Sequence, residues 1–308
     1  MTSGGTGEPA IFVHGLGSNK FIWKRVCDGL RDVFSFYAID LPGCGESPAP
    51  RHFRYTLEHF ADVLTDFIVM KDLKKLTLVG TSFGGAVILI ALLRNKDELA
   101  SRVRSLCLID VVAYPQDFPF FVEILRTPLF GPLAVNFPFF VKMVSSPLGP
   151  FPANALSRQY VRYFGRRKTR EALIKTASLI KVNRLARYVP RLKMIDIPAL
   201  VIWGRKDGVV PLRLGKRLAR DLPNARLVVI DHCGHAPHEE CPAEVIAASK
   251  NLRRRSATTF RHLIAWTTRA RISSQAELAI DPACEKTWSR VYDARGPTEA
   301  CDPMRAIW

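Results

Sequence analysis

A serine hydroxyl becomes a useful nucleophile when a base can take its proton and a carboxylate can orient the base. Three short stretches supply those groups: VGTSFGGA (79–86) carries Ser82, WGRKDGVVP (203–211) carries Asp207, and DHCGHAPHEECP (231–242) carries His235. Gly80-Thr81-Ser82-Phe83-Gly84 follows an apolar run and opens a helical pattern, which sets Ser82 at a sharp strand-to-helix turn. Glycines two positions to either side let strand and helix approach, and the turn lifts the hydroxyl clear of the backbone at the positive end of a helix. The G-x-S-x-G pattern alone is common; its place directly behind a buried strand makes it specific here. Ser82, Asp207 and His235 also follow one another in the chain order that this kind of turn uses.

The run Asp231 to Cys241 permits another chemistry, since it holds three histidines, two cysteines and three carboxylates. Zinc sites favour H-x3–5-H with a separate cysteine pair, or HExxH on a helix. His232, His235 and His238 instead fall at intervals of three in a loop broken by Gly234 and Pro237. No metal or other cofactor is therefore expected, and His235 is read as the base. His232 and His238 are read as polar loop groups, Glu239 and Glu240 as a charge pair at a helix start, and Cys233 and Cys241 as packing residues. Acyl transfer also needs donors for an oxyanion. VHGLG (13–17) follows the first apolar run, and the backbone N–H of Leu16 can join that of Phe83 in this role.

Something must present these loops together. Short apolar runs at 9–15, 34–40, 75–80, 105–111, 198–204 and 226–230 alternate with helical patterns at 18–32, 56–70, 82–94, 212–222 and 242–252. In 56–70, Leu57, Phe60, Ala61, Leu64, Phe67 and Ile68 share one helical face behind a capping Thr56. Strands alternating with helices predict an α/β fold with a mainly parallel, doubly wound sheet. The wholly apolar strands agree, because a sheet covered on both faces has no wet side. From 112 to 194 the alternation gives way to helix-like segments rich in aromatics and proline. This insertion is expected over the carboxyl edge of the sheet, where such folds keep their sites.

At 308 residues and 48% hydrophobic, the chain can bury a sizeable core. MTSGGTGEPA carries neither the basic nor the apolar stretch of a secretory signal, and PLFGPLAVNFPFFVKMV falls short of the ~20 apolar residues of a spanning helix. A soluble, cytoplasmic protein is expected. Its seven cysteines, odd in number and without a CxxC pair, are expected to be free thiols. The net charge of +17 is partly concentrated between Arg158 and Lys193, where the basic residues face a single acid, Glu171. That run reads as a solvated helix surface, with peripheral contact to anionic membrane as its functional counterpart. No aromatic-basic RNA motif or zinc finger accompanies it, so nucleic acid is not an expected partner.

Taken in order, the motifs resemble those of the α/β-hydrolase fold family, specifically its capped members. HG-x-G is His14-Gly15-Leu16-Gly17, D-x-P-G-x-G-x-S runs from Asp40 to Ser47, G-x-S-x-G-G from Gly80 to Gly85, W-G-x-x-D from Trp203 to Asp207, and G-H is Gly234-His235. The resemblance covers about residues 9–252 and implies a catalytic Ser82, His235 and Asp207 with Leu16 and Phe83 forming the oxyanion hole. It implies a serine hydrolase of a small hydrophobic ester, or of a ketone if the chain is similar to the carbon–carbon bond hydrolases of vinylogous diketones; cofactor-free perhydrolases share the triad, and a non-catalytic ligand-binding member is the remaining alternative. Relatives that dehalogenate alkanes or open epoxides place an aspartate where this chain has Ser82. Some relatives carry their acid where Asp110 stands, but with Asp207 present Asp110 is read as a loop anchor. His14 is read as a structural group of the oxyanion loop, Ser47 as the close of a glycine-rich turn and Cys44 as filler or a redox-sensitive thiol. The phenylalanines and leucines of DFPFFVEILRTPLFGPLAVNFPFF suit an apolar acyl group.

The resulting layout is a core of 9–111 and 195–252, a helical cap of 112–194, and a tail of 253–308 that matches nothing in the family and is read as a poorly ordered appendage, with a small docking element or the product of an altered reading frame as the alternatives. Relatives carry two strands before the one ending in HG, whereas only MTSGGTGE precedes it here. The edge hairpin is expected to be missing.

Overall fold

The computed structural model describes residues 1–254 other than 51, 119, 128–129, 135–165 and 180–181. The tail and much of the cap expected from the sequence therefore lie outside the described residues. Seven strands form one sheet: β1 (Thr2–Gly4), β2 (Glu8–Val13), β3 (Phe34–Ile39), β4 (Leu76–Thr81), β5 (Val103–Ile109), β6 (Ala199–Gly204) and β7 (Ala225–Ile230), in the order β1-β3-β2-β4-β5-β6-β7. Every neighbouring pair is parallel except β1 with β3. The central strands β4 and β6 are buried along their whole length, as their apolar sequences require, while β7 at the edge is half-buried.

β1 is a strand that the apolar runs do not predict, a single strand where relatives are expected to carry two. The residues ahead of β2 do form a strand, in which Thr2 pairs with Ala38 and Gly4 with Phe36. Nothing in MTSGGTGE alternates apolar and polar, so the strand is invisible to periodicity. Gly5 and Gly7 make it possible: both have positive φ, and a Cβ at either would lie within 2.3 Å of a backbone oxygen at Val33 or Phe34.

Among the described residues the helices are α1 (Lys24–Gly29), α2 (Leu57–Met70), α3 (Ser82–Arg94), α4 (Lys96–Leu99), α5 (Phe120–Arg126), α6 (Phe130–Ala134), α7 (Arg167–Leu179), α8 (Leu212–Asp221), α9 (Pro237–Glu240) and α10 (Pro242–Arg254). Thr56 caps α2, its hydroxyl accepting the N–H of His59. Where 18–32 predicts one helix, the chain makes a 3-10 turn (Lys20–Trp23) before the short α1. One large core cluster, containing Phe12, Trp23, Phe36, Cys107 and Ile202, spans β2, β3, β5, β6, α1 and α10.

The register lines up the strand ends that matter. Val13 pairs with Ile39 and Gly80, Thr81 with Ile109, and Ile109 with Ile202. The loops after β2, β4, β5, β6 and β7 thus leave the same edge. β2 leads to β3 on one side, and the chain then crosses back to β4 on the other, so the strand order reverses between β2 and β4. That reversal opens a crevice at the carboxyl ends of these strands.

Candidate active site

Ser82 is the first residue of α3 and directly follows β4. Its φ of 50° lies in the left-handed region that a non-glycine residue rarely occupies, so the turn holds it under strain. The crowding around it explains the glycines. A Cβ on Gly84 would lie 2.4 Å from the Val13 carbonyl oxygen, and one on Gly15 would lie 3.3 Å from the Ser82 Cβ. The loop after β2 is thereby brought against the serine.

His235 reaches the serine from beyond β7. Its Nε2 lies 3.1 Å from Ser82 Oγ and its Nδ1 lies 2.9 Å from Asp207 Oδ2. A carboxylate only accepts hydrogen bonds, so Nδ1 carries the proton toward Asp207 and Nε2 keeps its lone pair for the serine hydroxyl. The other oxygen of Asp207 accepts the N–H groups of Val209 and Val210, at 2.7 and 2.9 Å. The loops bearing Asp207 and His235 are also joined, because Lys206 N–H donates to the Cys233 carbonyl at 2.9 Å. Asp207 and His235 are both buried.

Asp110 follows β5 and is wholly buried, with Oδ1 accepting the Gly204 N–H at 3.0 Å. It ties the end of β5 to the end of β6. Burial, then the adjacent Asp207, pushes its carboxyl well above the ordinary carboxylate range.

The loop after β2 rests on His14. Leu41 N–H donates to His14 Nε2 at 3.1 Å, which leaves Nδ1 to donate to the Gly15 carbonyl at 2.8 Å. Burial holds the His14 imidazole below its ordinary range, consistent with that neutral tautomer. Behind it, buried Lys20 donates through Nζ to Asp40 at 2.6 Å and to Glu46 at 2.7 Å. Ser47 closes this turn by donating to the Asp40 carbonyl. Burial pushes the Cys44 thiol up to about 12, so it is not the reactive thiolate.

The segments between β5 and β6 meet these loops. Leu125, Leu173 and Ala177 form a small apolar cluster, and Leu16, Ile124 and Ile174 pack against it. Ala172 stands against Gly43, where a Cβ would come within 2.5 Å of its own. Phe83 lies on the other flank, its ring edge-on to Phe60 at 5.3 Å. Phe83 directly follows Ser82, and Leu16 packs among these apolar side chains.

The His235 loop departs from its sequence reading in three places. Cys233 and Cys241 are not free packing thiols but are joined by a disulfide with Cα atoms 6.5 Å apart; Cys27, Cys44 and Cys107 are free. Glu240 is not merely half of a charge pair at a helix start: its carboxylate accepts the N–H of Gly234 at 2.6 Å and of Ala236 at 2.9 Å. His238 is buried against the Trp23 ring rather than lying as a polar loop group, and burial followed by His235 lowers it to about 3. His232 is exposed and pairs with Glu244. His232, Cys233 and Cys241 lie within metal-binding distance of one another, but the disulfide occupies both sulfurs. The donor set thus left does not fit a zinc site. Among the described residues no helix is long and apolar enough to cross a membrane.

Comparison with known proteins sets this geometry among relatives. The family described as alpha/beta hydrolase fold matches residues 9–242. The hydrolase YugF of Bacillus subtilis is 32% identical over 237 residues, covering 76% of this chain and 86% of its own. Haloalkane dehalogenase 2 of Mycobacterium tuberculosis is 27% identical over 255 residues, covering 79% of this chain and 87% of its own. A thermophilic esterase from Thermogutta terrifontis superposes with a TM-score of 0.66 at 26% identity, covering 83% of this chain and 93% of the esterase.

Proposed function

The chain belongs to the α/β hydrolase fold family and is a hydrolase, and we propose that it cleaves hydrophobic carboxylic esters by acyl transfer through Ser82. One observation carries this reading: the continuous relay from Ser82 Oγ through His235 to Asp207, at 3.1 and 2.9 Å. Ser82 Oγ attacks the ester carbonyl carbon while His235 Nε2 takes its proton. Asp207 holds the required tautomer and stabilises the imidazolium. The amides of Leu16 and Phe83 receive the oxyanion, aided by the positive end of α3. When the intermediate collapses, His235 returns the proton to the departing alcohol. Water, deprotonated by the same imidazole, then attacks the acyl-enzyme and frees the acid and Ser82.

Serine at position 82 argues against the alkyl-halide chemistry named for the mycobacterial relative, which needs a carboxylate nucleophile. The apolar cluster of Leu16, Leu125 and Leu173 favours a hydrophobic acyl group of short to medium length. A second reading, hydrolysis of a vinylogous diketone, draws on Arg166, which donates to the Gly45 carbonyl at 3.3 Å and brings a cation to the same loop for a substrate carboxylate. The outer face of α7 exposes Arg167, Lys168 and Lys175, which supports peripheral contact with anionic membrane; absence of pelleting with anionic liposomes at low salt removes that part.

The test is a graded series of p-nitrophenyl esters beside a dienone diketone, with a fluorophosphonate probe. Ester turnover and labelling that vanish in Ser82→Ala are the expected result. Turnover undiminished in Ser82→Ala, or a wild type that neither turns over nor labels, overturns the proposal.

A further inference from the structure

The geometry points to Glu240 as a positioning residue for His235, an inference that rests on the proposed hydrolytic role of that histidine. His235 belongs to no helix or strand; it lies between β7 and α9 in a loop closed by Cys233 and Cys241. A catalytic imidazole on such a loop needs the backbone on either side of it held, because that backbone sets the direction in which the side chain leaves. Glu240 does this with one carboxylate. Oε2 takes the Gly234 N–H at 2.6 Å and Oε1 takes the Ala236 N–H at 2.9 Å, one donor on each side of His235.

The brace is reciprocal. The Ala236 carbonyl accepts the backbone N–H groups of Glu239 and Glu240, both at 2.8 Å, so Ala236 is held at both its N–H and its carbonyl. Gly234 leaves room for the carboxylate, since a Cβ there would lie 3.1 Å from both Glu240 oxygens. Two N–H donors converging on one carboxylate make charge-assisted hydrogen bonds, stronger and more directional than neutral ones. The carboxylate reaches His235 through the backbone N–H groups of its two neighbours. Its effect therefore falls on where the imidazole stands, not on substrate binding.

Full-length Glu240→Ala and Glu240→Gln proteins test this beside wild type and Ser82→Ala, by ester kinetics, the rate of fluorophosphonate labelling and thermal unfolding. Glutamine keeps the volume and one acceptor but turns an amide N–H toward the second donor. A displacement of about 1 Å at a reacting group costs on the order of 10²-fold, so Glu240→Ala is expected to lose about 10- to 100-fold in kcat and in labelling rate while KM stays near wild type. Glu240→Gln should fall between the two. Wild-type kcat in both variants, or a fall in thermal stability with kcat intact, overturns the positioning role. A wild type that fails to label refutes instead the hydrolase mechanism beneath it, so the two failures are distinct.

Discussion

The ammonium of Lys20 stands 2.6 Å from Oδ2 of Asp40, with both side chains sealed from solvent, and the Lys20 backbone N–H donates to Oδ1 of the same carboxylate at 2.7 Å. This pair ties the chain just beyond the oxyanion loop to the glycine-rich turn beginning at Asp40. Burial alone would raise the Asp40 carboxyl; the Lys20 ammonium holds it below its ordinary value of 3.8.

Replacing Lys20 with methionine leaves a carboxylate buried without its cation, which costs about 3–5 kcal/mol. Urea unfolding at pH 7 should show that loss. Because the folded value of Asp40 is depressed, its contribution is present above 3.8 and disappears as pH falls through the folded value. The gap between wild type and Lys20→Met should therefore close in acid.

Ser82 carries backbone strain at the turn into α3. At φ 50°, alanine keeps the unfavourable conformation and glycine does not. Both substitutions should lower kcat by about 10³-fold or more, leaving only binding and the oxyanion donors. Thermal unfolding should rank Ser82→Gly above Ser82→Ala by about 1 kcal/mol. The reverse ranking would mean that the turn is unstrained.

The two buried aspartates behind His235 should respond in opposite ways to the same change. Asp207→Asn offers Nδ1 the wrong partner and should reduce kcat by about 10⁴-fold through the tautomer it favours. Asp110 accepts the Gly204 N–H through Oδ1, and asparagine preserves an oxygen for that donor, so kcat should stay close to wild type. The sign of its effect on stability follows from its raised value. Above 3.8 the unfolded chain releases this proton while the fold retains it, so stability falls as pH rises toward the folded value. Asp110→Asn removes that penalty, and at pH 7 it should match or exceed wild type in urea unfolding.

The Cys233–Cys241 disulfide closes a loop of sequence separation 8 around His235. Cross-linking so short a loop is worth about 2–3 kcal/mol through the entropy it removes from the unfolded chain. Unfolding with and without dithiothreitol should differ by that amount in wild type and by nothing in Cys233→Ser/Cys241→Ser.

Much of this protein was legible before folding. The apolar runs predicted β2 to β7 to within two residues at either end, because a strand buried on both faces must be apolar throughout. Thr56 and the face it precedes located α2 equally well. Ser82, Asp207 and His235 could be chosen because each stands just past such a strand, and a parallel sheet delivers all those loops to one edge.

What escaped reading shares a different origin. Gly5 and Gly7 admit β1 by close backbone approach, which leaves no hydrophobic signature. The carboxylate of Glu240 turns back onto its own loop, and Cys233 meets Cys241, only because the chain reverses around Pro237. Lys20 and Asp40 are ordinary charged residues in the sequence and become a buried pair when two loops fold together. Residue type and period determined the elements and named the candidate reacting groups. Which polar groups would lose their water, and what they would then bind, was decided by tertiary structure, because desolvation depends on neighbours distant in the chain.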